Sequence, residues 1–133
     1  LLGVSSNVLL VTGNHSSEGY MELHPLEEVD SISEVAFVSL DPIDLNKLSP
    51  VEYEVGQVYT TMFSEQIWQP KKFDSVLKDI ANDKLRAFFI SIKDNCIVAP
   101  YDGGIDFILK DEETKKAYKE KYKEWLSPRQ DGL

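Results

Sequence analysis

The sequence predicts an α+β domain: a mostly antiparallel sheet of about six strands with three helices packed mainly on one side. Three observations predict it. Short Val-, Leu- and Phe-rich runs follow one another across short polar links, as in hairpins and meanders. Apolar residues recur at helical spacing in three stretches only. Helix-start residues precede each of those stretches.

Val4 to Thr12 reads as the first strand, stopped by Gly13-Asn14. Asn14 to Gly19 is small and polar and reads as a loop, and Tyr20 to His24 alternates as a second strand. Pro25 opens a short helical turn through Glu28, and Ser33 to Leu40 forms a third strand closed by Asp41-Pro42. Ser49-Pro50-Val51-Glu52 has the composition of a capped helix start. Val51, Val55, Val58, Tyr59, Met62 and Phe63 then fall on one helical face. Gly56 weakens that helix by about 1 kcal/mol relative to Ala.

Ile67 and Trp68 read as an apolar connector, and Pro70 precedes a second helix carrying Phe73, Val76, Leu77, Ile80 and Ala81. Asn82-Asp83 ends it. Leu85 to Ile92 and Cys96 to Ala99 make a hairpin about the turn Lys93-Asp94-Asn95. Pro100 to Gly104 is a tight connection to a further strand, Ile105 to Leu109. Asp111 caps the last helix, acids fill its first turn and lysines its remainder, in the order that complements the helix dipole. Tyr118, Tyr122, Trp125 and Leu126 share one face, which predicts docking by an aromatic stripe. Ser127-Pro128 ends the helix, leaving a polar tail.

The chain has 133 residues, the usual size of a single domain, and residues 1–133 are read as one. Apolar residues make up 42% and charged residues 28%, a globular rather than a disordered balance. No apolar run approaches the roughly 18 residues needed to span a bilayer. Leu1 to Gly13 lacks the positive region of a secretory signal. The chain begins with Leu, as a processed product or an excerpt of a longer protein would. One cysteine, Cys96, suits a reducing, cytoplasmic setting, where it serves as a small buried hydrophobe.

Charge is distributed unevenly. Net charge is −9, and the first Lys or Arg is Lys47. Before it stand Glu18, Glu22, Glu27, Glu28, Asp30, Glu34, Asp41 and Asp44. Such a field repels nucleic acid and anionic membrane and attracts basic proteins. The plainer reading is a solvated acidic face that aids solubility. We carry Glu18, Glu22, Glu27, Glu28, Asp30 and Glu34 forward as candidate partner-binding residues.

The most informative local motif is Ala99-Pro100-Tyr101-Asp102-Gly103-Gly104-Ile105-Asp106. Its structural reading is a tight turn in which Gly103 and Gly104 take positive φ and Asp102 bonds to nearby backbone. Its functional reading is a ligand or cation site around Tyr101, Asp102, Gly103, Gly104 and Asp106. Two carboxylates do not define a metal site, and the spacing departs from an EF-hand loop. The Gly/Ser stretch from Thr12 to Gly19 lacks the lysine of a phosphate loop and reads as a connection. His15 and His24 lack zinc-ligand spacing. The triplet Asn14-His15-Ser16 would matter only in a secreted eukaryotic protein. No nucleophile elbow, zincin helix or Cys-x-x-Cys pair occurs, so nothing positive argues for a catalytic centre, a metal or a cofactor.

Pro100 to Asp106, followed by Tyr118 to Ser127, resembles small uncharacterised bacterial proteins that share a Tyr-Asp-x-x-x-Asp segment ahead of a C-terminal helix ending in a Trp. Tyr101, Asp102, Asp106 and Trp125 are the matching positions. The resemblance implies a bacterial cytosolic domain, some of whose kind are immunity or antitoxin-like partners. The expected function is therefore a non-enzymatic interaction module with an acidic surface that binds a basic protein. The alternative is a cation-binding domain or hydrolase using the carboxylates around Gly103-Gly104.

Overall fold

A computed structural model describes residues 2–3, 5–16 and 29–129. Its centre is a seven-stranded antiparallel sheet. The strands are β1 (Asn7–Ser16), β2 (Val38–Ser39), β3 (Ile43–Asp44), β4 (Val58–Ile67), β5 (Phe88–Ser91), β6 (Cys96–Tyr101) and β7 (Gly104–Ile108). They lie in the order β2-β4-β1-β5-β6-β7, with β3 also pairing to β4. Among the described residues three α-helices accompany them: α1 (Leu45–Leu48), α2 (Asp74–Ala81) and α3 (Glu112–Lys121). The α+β class predicted from the sequence is the class observed.

The pleat sorts residues by parity. Val8 and Leu10 of β1, Phe89 of β5 and Val98 of β6 share one face, because Leu10 pairs with Phe89 and Phe89 with Val98. That face meets Phe73, Val76 and Ile80 at α2 and Ile32 of a short 3-10 turn, Asp30–Ile32. Phe89 is fully buried, edge-on to both Trp68 and Phe73, while Trp68 stacks on Phe73 at 5.2 Å. The three ring centroids lie 5.2–5.4 Å from one another. Complete burial of one large side chain contributes about 1.5–3 kcal/mol.

The expected helix from Pro50 onward is absent. Residues 50–57 form turns, and residues 58–67 form the long strand β4, paired residue for residue with all of β1. The physical reasons are local and tertiary. Val51 and Val55 are 97% and 87% exposed, so the spacing that suggested a buried face buries nothing there. Gly56 sits at φ 90, and the Gln57 side chain accepts from the Glu54 N–H at 2.7 Å, closing a turn instead of a helix. Val58-Tyr59-Thr60-Thr61 is rich in β-formers, and β1 supplies a partner of equal length.

Other boundaries shift for similar reasons. β1 runs through Gly13 and Asn14 to Ser16 because β4 continues opposite them, so Asn14 to Ser16 are strand where a polar loop was expected. The strand expected over Ser33 to Leu40 shrinks to Val38–Ser39, since Val35 and Phe37 turn toward the core and leave the ladder. The expected strand Tyr20 to His24 and the turn Pro25 to Glu28 lie outside the described residues. Pro100 and Tyr101 belong to β6, not to a connection; Pro100 pairs with Ile105 beyond the end of the β5 ladder. A missing N–H is tolerated there. α3 has the predicted cap, with the Asp111 carboxylate accepting from the Thr114 N–H at 2.7 Å. It buries none of its residues, however, and Trp125 is 87% exposed. The aromatic stripe stacks on itself, Tyr118 on Tyr122 at 5.8 Å, in place of the docking expected.

Candidate functional site

Where β2 leaves β4 the sheet edge opens into a groove. The ladder between them holds at Ser39 and Met62 and at Val38 and Phe63, and goes no further among the described residues. Upstream of Val38 the chain is pulled aside. Val35 donates its N–H to the Ile32 carbonyl at 3.0 Å, and Val35 and Phe37 pack on the core cluster. The space left behind measures about 660 Å³ and is walled by Glu34, Val35, Ala36 and Val38 against Phe63, Ser64, Glu65 and Gln66. Ser64 is buried and receives a hydrogen bond from the Gln66 amide at 2.9 Å, so the floor is polar but satisfied. Glu34 and Glu65 are exposed at the rim.

The sequence-predicted acids are only partly gathered here. Glu34 lines the groove. Asp30 is exposed at the start of the 3-10 turn, two residues before the buried Ile32. Glu18, Glu22, Glu27 and Glu28 lie outside the described residues. Asp44 is engaged otherwise: it caps α1, accepting from the Lys47 N–H at 3.2 Å, and its second oxygen lies 3.7 Å from the Lys47 ammonium. Ion pairs joining described residues, namely Lys47–Asp44, Arg86–Asp83, Lys115–Glu112 and Lys123–Glu120, each span three positions. They are exposed, local contacts worth little individually. None of them carries a lysine of α3 to an acid of the first third.

Glu65 is the groove residue that sequence reasoning missed. It follows what reads as the last turn of a helix, whereas in β4 it stands on the same face as Phe63 and Ile67. Apolar residues fall on both faces of β4, Met62 on one and Tyr59 and Phe63 on the other, so no period in the sequence singles Glu65 out.

The glycine motif is built differently from its expectation. Asp102 and Gly103 form the two-residue turn between β6 and β7, with Tyr101 paired to Gly104. Neither glycine takes a positive φ. What they supply is room: a Cβ at Gly103 would stand 3.0 Å from the Tyr101 ring, and one at Gly104 3.0 Å from its hydroxyl. Asp102 is exposed in the turn; Asp106 is exposed on the face away from α2, opposite Ala99. Among the described residues no group of three or more His, Cys, Asp or Glu is placed to hold a metal ion.

Cys96 is buried, where desolvation and then the nearby Asp94 carboxylate push its thiol pKa up. That is the reverse of what a nucleophilic cysteine needs. His15 stands in β1 with its ring 4.8 Å from that of Tyr59. Among the described residues no helix is long and apolar enough to cross a membrane.

No curated protein and no solved structure matches the chain. One family pattern matches it over residues 1–130, nearly its whole length. The chain belongs to that family, described as a domain of unknown function, DUF3885.

Proposed function

We propose that this domain is a non-enzymatic interaction module whose acidic surface binds a basic protein, in the manner of an immunity or antitoxin-like partner in a bacterial cytoplasm. The observation that carries the reading is the run of eight acids without one Lys or Arg before Lys47. Asp30, Glu34 and Asp41 from that run are exposed. Charge so arranged steers a cationic partner and accelerates its encounter. The resemblance of Tyr101, Asp102, Asp106 and Trp125 to the small bacterial proteins above supports the setting.

A pull-down from bacterial lysate at low and at high salt tests it. A basic protein retained at low salt and released near 1 M salt, where the Debye length falls to about 3 Å, is the expected result. Retention of no basic protein at low salt removes the support for the reading.

A further inference from the structure

We propose that the groove beside β4 is a strand-addition site for an extended, lysine- or arginine-bearing segment of a partner protein. This deepens the acidic-surface reading and rests on it. In an antiparallel sheet each residue directs its N–H and C=O to one neighbour, and successive residues alternate. The Leu40 N–H donates to the Thr61 carbonyl at 2.8 Å, so Thr61 faces the β2 side. Two and four residues on, Phe63 and Glu65 face the same way. Phe63 has Val38 as its partner. Glu65 has none among the described residues, because the chain that would continue β2 has turned inward with Val35 and Phe37. The Ile67 carbonyl on that side takes the Lys72 ammonium at 3.2 Å.

The open groups therefore sit inside the groove, between an apolar wall of Val35, Ala36 and Val38 and the side chain of Phe63. An extended peptide laid there would bond the Glu65 N–H and C=O, and its residue opposite Glu65 would send its side chain to the face that carries Phe63, Val38 and Glu65 itself. The rim decides its chemistry. Glu34 and Glu65 stand on opposite walls, no Lys or Arg lines the groove, and neither glutamate is ion-paired to a described residue. A lysine or arginine at the position opposite Glu65 would lay its aliphatic stem on Phe63 and bring its charge to the Glu65 carboxylate, with Glu34 on the facing wall, whereas an acid there would be repelled.

The test is a low-salt NMR titration of the ¹⁵N-labelled protein with a short peptide of alternating lysine and valine, with amide exchange followed at Glu65. The expected result is shifts at residues 34–38 and 63–67 and slowed exchange of the Glu65 amide. Glu34→Gln and Glu65→Gln, both exposed and compatible with folding, should each weaken binding about threefold. The same peptide with glutamate in place of lysine should not bind. Peptide binding with shifts elsewhere and an unchanged Glu65 amide overturns the groove and leaves the acidic-surface reading standing. Absence of binding at low salt overturns both.

Discussion

The ring of Tyr59 lies over Gly13, in the space that a side chain at position 13 would fill. Gly13 is paired with Thr61, and Tyr59 is paired with His15 one step along the same face. The ring thus reaches diagonally across the sheet to cover a residue with no side chain of its own. A Cβ at position 13 would also stand 2.7 Å from the Thr60 carbonyl oxygen, which belongs to backbone and cannot swing away.

Gly13→Ala should therefore destabilise the protein by about 1–3 kcal/mol, the usual range for overpacking. Urea unfolding of the single variant, of Tyr59→Ala and of the pair forms a cycle. Tyr59→Ala should relieve only part of the Gly13→Ala cost, because the clash with Thr60 remains. Complete relief would mean that the ring alone excludes a side chain at position 13.

The core and the last helix should respond in opposite ways to loss of an aromatic ring. Phe89 is fully buried against Trp68 and Phe73, so Phe89→Ala should cost about 3–5 kcal/mol. Trp125 is larger but exposed, and Trp125→Ala should change stability by no more than about 0.5 kcal/mol. Urea midpoints of the two variants decide the matter. A large loss at Trp125 would place the turn Lys123–Trp125, which follows α3, against the rest of the fold, as the aromatic spacing alone suggests.

These contrasts show which parts of the fold are readable without coordinates. α2 was legible because its signal is local: Phe73, Val76 and Ile80 have helical spacing and all three are buried. The hairpin of β5 and β6 was legible because turn residues separate two apolar runs, with Ser91 and Asp94 bonded across the turn. β4 was not, because its identity depends on β1, more than forty residues away in sequence. Val58, Tyr59, Met62 and Phe63 fit a helical face as well as a strand with apolar residues on both sides. The groove inherits that difficulty. Glu34 could be singled out by charge, but Glu65 joins it only once Val58 to Ile67 is a strand and β2 has parted from it.

Burial of Cys96 predicts a sluggish thiol. Loss of hydration raises its pKa, and the Asp94 charge raises it further, outweighing the opposing effects of the N-terminal charge and the Ser91 backbone. In the native state a thiol reagent at pH 8 should react more slowly than in the urea-unfolded chain. Asp94→Asn should recover a part of that rate, since it removes the smaller of the two causes and leaves the burial. The native state holds this proton more tightly, so the contribution to stability is complete below the ordinary thiol pKa of 9.0 and is lost as pH rises through the raised value. A native rate equal to the unfolded rate would mean that Cys96 is open to solvent.

Asp111 titrates in the other direction. The Thr114 backbone N–H, then the Thr114 hydroxyl, and to a lesser degree Lys110 favour its charged form and hold its pKa below the ordinary aspartate value of 3.8. Below that value the unfolded chain binds more protons at this position than the native one does, so stability there rises with pH. The cap's contribution is therefore fully present above 3.8 and is lost as pH falls through the lowered native pKa. Since α3 buries none of its residues, the loss should appear as fraying of α3 ahead of unfolding of the sheet. Amide exchange at Thr114 and Lys115 on acidification measures it. Asp111→Asn keeps a capping oxygen but has no carboxyl to protonate, so its α3 amides should lose this pH dependence, while Asp111→Ala should fray at every pH. Acid fraying that persists unchanged in Asp111→Asn would mean that the Asp111 cap is not its source.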